Sequence, residues 1–225
     1  MKQLFILLAC TILCNAQQIR VICTAAITPN YAELRRSQYT ETFTLLARYG
    51  YSNPYIVEAL LKKGPCFLED FSSHVFYATT NNPTYINNGI NEAATLLEAL
   101  YHFDFADEDM IIKFTGRHQL TSDYFLRLVE EHPEYDAFVK VNADGNVYTL
   151  GFAMRCKYIK EMYEQLPFEQ LGKALRPIEY DVGDYIKAKV KQGNFKVYYV
   201  EKLHMKAHLK GSSTALQAPD VIKYY

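Results

Sequence analysis

Tryptophan is absent from this chain, and cysteine is scarce. The cysteines fall at positions 10, 14, 23, 66 and 156, with no metal-ligand spacing, which excludes a disulfide scaffold and a thiolate zinc site. Cys23, Cys66 and Cys156 lie beyond the first turns of the chain, and either one bridge or buried free thiols fit them. An excess of one charge is also missing. The formal net charge of −1 argues against a general nucleic-acid binder. No apolar run reaches the ~20 residues that cross a bilayer, so no stable membrane span is expected. Neither an internal repeat nor a low-complexity segment is found.

What is present points to a globular α/β chain. Its 225 residues are 49% hydrophobic, enough for one good domain or at most two small ones. The 19 tyrosines suit clefts that stack sugars or bases, although tyrosine also packs well in sheets.

Met1 to Ala16 reads as a secretory signal peptide. Lys2 precedes an apolar run from Leu4 to Cys14, and Asn15-Ala16 offers a small-residue cleavage site. This implies a secreted, periplasmic or secretory-lumen location, with residues 17–225 as one domain. Two other readings stand: a lipoprotein box at Leu7-Leu8-Ala9-Cys10, and a native core strand.

The remaining chain alternates strands and helices. Ile19 to Ile27 predicts a first core strand and Tyr31 to Tyr49 a helix stopped by Gly50. Strands are expected over Pro54 to Leu61 and Val75 to Thr79. A helix capped by Asn88 follows, its Ala93, Leu96, Leu97, Leu100 and Tyr101 forming a core stripe. After Met110-Ile111-Ile112, a helix capped by Thr121 or Ser122 runs to about Glu131. Asn142 to Asn146 signals a hairpin between Tyr135–Val141 and Val147–Met154. Helices over Cys156 to Leu166 and from Ile178 to Gly193 precede a last strand from Val197. There Leu203, Met205, Ala207 and Leu209 alternate with a basic set, Lys202, His204, Lys206, His208 and Lys210, expected on one outer face. On a strand His204 and His208 lie ~13 Å apart, which favours a cationic face over a metal site.

The stretch Asp107 to Leu120 organises these elements. Met110-Ile111-Ile112 suits a strand buried on both faces, and Thr115-Gly116-Arg117 sits where it stops. In open α/β sheets ligands collect at the carboxyl ends of strands. A glycine there admits close approach, and an arginine offers a planar fork that fits phosphate. A surface turn with an incidental arginine is the other reading, and the local spacing alone favours it. Arg35 and Arg36, near the amino end of their helix, serve either a ligand or the solvated surface. Asn87, Asn88, Gly89 and Asn91 place polar groups at a helix amino end that favours an anion or a ribose hydroxyl, or plain capping. Gly151 suggests a bulge or a ligand pressed on the backbone.

Asn88-Gly89-Ile90-Asn91-Glu92-Ala93, followed by Met110-Ile111-Ile112-Lys113-Phe114-Thr115-Gly116-Arg117, resembles the nucleotide-sugar half of GT-A-type glycosyltransferases. The Lys-Phe-Thr-Gly-Arg form is similar to bacterial surface-polysaccharide transferase-like proteins. Tyr148 to Arg155 resembles their acceptor-side strand. The likeness covers most of residues 19 to 192. It implies a single GT-A-like (Rossmann-like) α/β domain with a mostly parallel central sheet flanked by helices and a C-terminal hairpin or strand extension. It also implies a nucleotide-sugar donor and a glycan or other acceptor. Donor-binding residues on this reading are Thr24, Ala25, Arg35, Asn88, Gly89, Asn91, Lys113, Thr115 and Gly116, with Lys113 pointing either to the diphosphate or into the flank of the sheet. Gly151 and Phe152 lie on the acceptor side.

One departure matters. Where that superfamily places Asp-X-Asp, this chain has Thr115-Gly116-Arg117. Arginine cannot ligate a divalent ion, but it can offset the charge of a leaving diphosphate directly. The expectation is therefore a site without metal or other cofactor. Arg117 acts at the diphosphate, and Glu179 is the catalytic base, with Asp181 and Asp184 in reserve. The other reading is a catalytically inactive GT-A-like module that binds a glycan or a protein.

Overall fold

The computed structural model describes residues 17–64, 66–209 and 221–225, so the expected signal peptide and Gly211-Ser212-Ser213 lie outside the described residues. Seven strands form the main sheet: β1 (Ile19–Ala25), β2 (Tyr55–Glu58), β3 (Val75–Tyr77), β4 (Met110–Thr115), β6 (Ala137–Val139), β7 (Gly151–Arg155) and β8 (Val197–Tyr199). Their order is β3-β2-β1-β4-β7-β6-β8. All run parallel except β7, which is antiparallel to both β4 and β6. A second sheet, β10-β9-β5, is built from Val221–Tyr224, Met205–Leu209 and Gln119–Leu120.

Alternation along the central strands feeds two cores. Val21, Cys23, Ile112 and Phe114 join Tyr39, Phe43 and Leu46 of α1 (Ala32–Arg48) and Phe125 and Val129 of α3 (Tyr124–Glu131). Ile22, Ile111, Phe152 and Met154 face the other way. They meet Leu96 of α2 (Asn88–His102), Ile159 of α4 (Cys156–Glu164), Leu171 of α5 (Phe168–Gly172) and Val182 of α6 (Ile178–Lys191). The mostly parallel sheet, covered on both faces, is the α/β architecture that the resemblance implies.

Several expectations are corrected in detail. Asn87, not Asn88, caps α2, its side chain accepting from Gly89 N at 3.2 Å. Ser122 accepts from Tyr124 N at 3.3 Å, while Asp123 holds the cap position of α3. The Asn142 hairpin closes on a Val141–Val147 bridge, but its return strand starts only at Gly151. The single last strand is two, β8 and β9, in different sheets, and His204 between them takes a positive φ of 51°. The basic set does not share an outer face, because β9 pairs with β5 and His208 is buried there. Lys210 lies outside the described residues.

Candidate functional site at the carboxyl edge of the sheet

The strands β1 and β4 end side by side, with Thr24 opposite Thr115. Strand parity turns Lys113 toward α2, where a carboxylate waits. Lys113 Nζ lies 2.8 Å from Glu92 Oε1, 2.9 Å from Thr115 Oγ1 and 2.7 Å from the Thr149 carbonyl. Thr115 Oγ1 donates to the same Glu92 oxygen at 2.8 Å, and Thr24 Oγ1 donates to it as well. Thr149 Oγ1 in turn donates to Glu179 Oε1 at 2.9 Å. A polar chain thus crosses the sheet edge from β1 to the first turn of α6.

The electrostatics follow from this geometry. Burial pushes the Glu92 carboxyl upward, but the Lys113 ammonium and the hydrogen bonds from Lys113, Thr24 and Thr115 outweigh it and hold the pKa at about 2. Glu92 is therefore ionised at any physiological pH. Tyr163 is buried beside this chain. Burial first, then the negative charges of Glu92 and Glu179, raise its pKa above the ordinary phenol value.

The Thr-Gly-Arg turn lies against the opposite face of the sheet. Gly116 N donates to Thr24 O at 2.8 Å, and His118 N to Thr115 O at 2.9 Å. A Cβ on Gly116 would stand 3.1 Å from Thr24 O and 3.4 Å from the Tyr39 ring, so the tight fit is to the protein's own chain. Arg117 is half-buried, and its charge acts on the Tyr39 hydroxyl and on His118. Tyr39 accepts from Ala26 N at 2.8 Å and stacks on Phe67 at 6.4 Å.

Phe67 opens onto a hollow of about 690 Å³ beyond the ends of β1 and β2, lined also by Ile27, Pro29, Arg36, Leu61 and Cys66. Glu33, Glu69 and Asp70 line it as well. Arg36 lies over the Phe67 ring at 5.5 Å. Glu58, at the end of β2 and wholly buried, ties two walls together. Its Oε1 accepts from Ile27 N, Leu60 N and Leu61 N at 3.2, 2.8 and 3.1 Å.

The expected site residues divide into three groups. Thr24, Lys113, Thr115 and Glu179 converge on the polar chain, although Lys113 is 1% exposed and engaged by Glu92 rather than open to a diphosphate. Gly116 and Arg117 sit at the strand end, and Ala25 is buried beside them. The rest serve packing or loop contacts. Asn91 exchanges bonds of 2.8 and 3.0 Å with the Asn82 backbone, Gly89 abuts Ile178, and Asn88 is exposed. Arg35 turns to Gln38 at 2.5 Å, and it is Arg36 that lines the hollow. Gly151 and Phe152 are buried, Gly151 against Phe114 and Met205, so protein rather than a ligand presses on that glycine. Asp181 and Asp184 both pair with Arg176, at 3.3 and 3.0 Å.

Sequence reading missed Glu92, Thr149, Tyr39, His118 and Glu58. Only Glu92 carried a signal: an acid four residues into a helix, matched by a lone lysine in an apolar strand. The end of β4, where the superfamily's Asp-X-Asp would hold a divalent ion, carries Thr115-Gly116-Arg117. The donors there do not suit such an ion: the nearby carboxylate, Glu92, has its Oε1 engaged by an ammonium and two hydroxyls. Among the described residues no group of three or more His, Cys, Asp or Glu could hold a metal. No helix among them is long and apolar enough to cross a membrane.

No family model and no curated protein matches this chain. Solved structures do. S. aureus TarS 1–349 is 11% identical over 84% of this chain and 60% of that one, with a TM-score of 0.49. The apo-form glycosyltransferase GlyE of Streptococcus pneumoniae TIGR4 is 11% identical over 82% and 45%, at 0.44. The galactosyltransferase LgtC, in complex with donor and acceptor sugar analogs, is 11% identical over 80% and 73%, at 0.40. This chain spans less than two thirds of TarS and GlyE.

Proposed function

We propose that the domain transfers a sugar from a nucleotide-activated donor to a hydroxyl of a glycan or other acceptor, without a metal ion. The observation that carries this is the hollow at the ends of β1 and β2, joined through Tyr39 to the Gly116–Arg117 turn. On this reading the nucleoside enters the hollow and stacks on Phe67. Glu69 and Asp70 accept from its ribose hydroxyls. The diphosphate points to Arg117, whose fixed positive charge offsets the charge that develops on the leaving group. Glu179, oriented by Thr149, takes the proton of the acceptor hydroxyl. The domain would work after export, with Met1 to Ala16 removed.

Thermal shift with a panel of nucleotide sugars tests the reading. Stabilisation by one donor, lost in Arg117→Ala, is the expected result. Activity should survive EDTA, and a loss restored by Mn²⁺ would refute the metal-free step. No stabilisation by any donor would leave an inactive glycan- or protein-binding module. N-terminal sequencing of exported protein should begin at Gln17.

A further inference from the structure

The polar chain holds a carboxylate with one oxygen engaged and the other open. Lys113, Thr24 and Thr115 all bond to Oε1 of Glu92, and Oε2 has no protein partner among the described residues. The Glu92 side chain keeps 27% of its accessible surface, whereas its partner Lys113 keeps 2%. The pair is therefore asymmetric: a sealed cation fixes an anion whose second oxygen meets solvent. Packing alone does not call for this. A neutral residue at 92 and an apolar one at 113 would fill the same space without burying an ammonium.

From this arrangement we infer that Glu92 Oε2 is the recognition point for the sugar of the donor, accepting hydrogen bonds from its hydroxyls. The assignment rests on the transferase reading given above. Three features suit a neutral polyol and not a phosphate. The open atom is an acceptor only, so it pairs with hydroxyl donors. Its negative charge repels a diphosphate, which is drawn instead to Arg117. Its hydrogen bonds are charge-assisted, roughly twice as strong as neutral ones. Fixing Oε1 at three points also pre-orients Oε2, so little freedom is lost when the sugar arrives. Glu92 lies at the edge between β1 and β4, and Thr149 links the same network to Glu179. A sugar held at Glu92 thus lies beside the network that reaches the proposed base, Glu179.

Two variants separate this role from a structural one. In Glu92→Gln the amide oxygen stays with Lys113 and the threonines, which turns an NH₂ toward solvent and replaces the acceptor with a donor. The double variant Glu92→Met, Lys113→Met removes the buried pair together and so strands neither charge. Calorimetric titration compares UDP-glucose, UDP-N-acetylglucosamine and GDP-mannose with UDP and GDP. The wild-type chain should bind one nucleotide sugar at least about tenfold more tightly than its parent diphosphate. Both variants should lose that advantage while binding the diphosphate as before. An advantage retained in both variants would overturn the assignment. Saturation-transfer NMR with methyl glycosides at millimolar concentration supplies an arm that needs no nucleotide. If no nucleotide binds, the transferase reading falls. Glycoside signals lost in both variants would still uphold Glu92, and signals absent or unchanged would reject it.

Discussion

Lys113 and Glu92 meet at 2.8 Å across the edge of the sheet, and removing either one strands the other. Truncating the lysine leaves a carboxylate facing a hole, and truncating the acid leaves a buried ammonium. Lys113→Ala should cost about 3–5 kcal/mol, while the double change to methionine should be nearly neutral. Urea unfolding of the two variants checks the contrast. A single variant as stable as the double one would show that the pair contributes little.

The same pair fixes an acid limb. An ordinary glutamate titrates near 4.5, and Glu92 is held at about 2 in the fold, so the folded state binds this proton more weakly than the unfolded chain. Its stabilisation is present above pH 4.5 and is lost as pH falls toward 2. At ~1.4 kcal/mol per unit it is worth roughly 3 kcal/mol. Unfolding free energy measured from pH 5 to pH 2 should fall less steeply in the double methionine variant.

His118 gives a second pH dependence at a different place. It is 2% exposed, and its Nδ1 accepts from His208 N at 3.0 Å, so the ring is neutral. Burial is the main cause of a pKa well below 6.5. The charges of Arg117, Lys113 and His208 add to it, and Glu92 opposes. The unfolded chain therefore takes up a proton below pH 6.5 that the folded one refuses, and stability is lost as pH falls from there. His118→Asn keeps an acceptor for His208 N and removes the titration. Its stability should change less between pH 7.5 and pH 5.5 than that of the wild-type chain.

Much of the architecture was legible in the residues. Met110-Ile111-Ile112 sits in β4, and Ala93, Leu96 and Leu100 of the α2 stripe face the core, since both patterns span enough residues to fix a face, although Tyr101 at the end of that stripe is exposed. What escaped was set by contacts distant in sequence. The run from Val197 reads as one strand because nothing local marks His204 as the point where the chain turns. His208 alternates as an outward residue, but Gln119–Leu120, nearly ninety positions earlier, supplies the strand that covers it. The site divides in the same way. Thr24 and Thr115 stand at strand ends, a place the resemblance already marks, whereas Glu92 is tied in by Lys113 on another element. Lys113 reads either toward a diphosphate or into the flank of the sheet, and its partner Glu92, invisible to local spacing, holds it in the second place.

Gly116 tests how closely the Thr-Gly-Arg turn is fitted. Its missing Cβ would meet the Thr24 carbonyl at 3.1 Å, and that oxygen already accepts from Gly116 N. Backbone cannot yield as a flexible side chain can, so Gly116→Ala should destabilise by about 1–3 kcal/mol and shift Arg117. At Gly64 a Cβ would find only Lys62 O, at 3.9 Å. Gly64→Ala is therefore a near-neutral control. Equal melting temperatures for the two would mean that the turn is looser than it looks.

Thr149 carries two separable contacts: its carbonyl takes Lys113, and its hydroxyl donates to Glu179 Oε1 at 2.9 Å. Thr149→Val keeps the first and deletes the second in nearly the same volume. If Glu179 accepts the acceptor's proton, Glu179→Gln should lower kcat by about 10²–10⁴-fold. Thr149→Val should lower it less, because the carboxylate remains but is no longer held in place. Neither change touches the hollow at the ends of β1 and β2, so donor affinity should stay as it was. A rise in donor Kd with kcat intact would move Glu179 from the reaction to donor binding. Unchanged kinetics in both variants would remove it from the site.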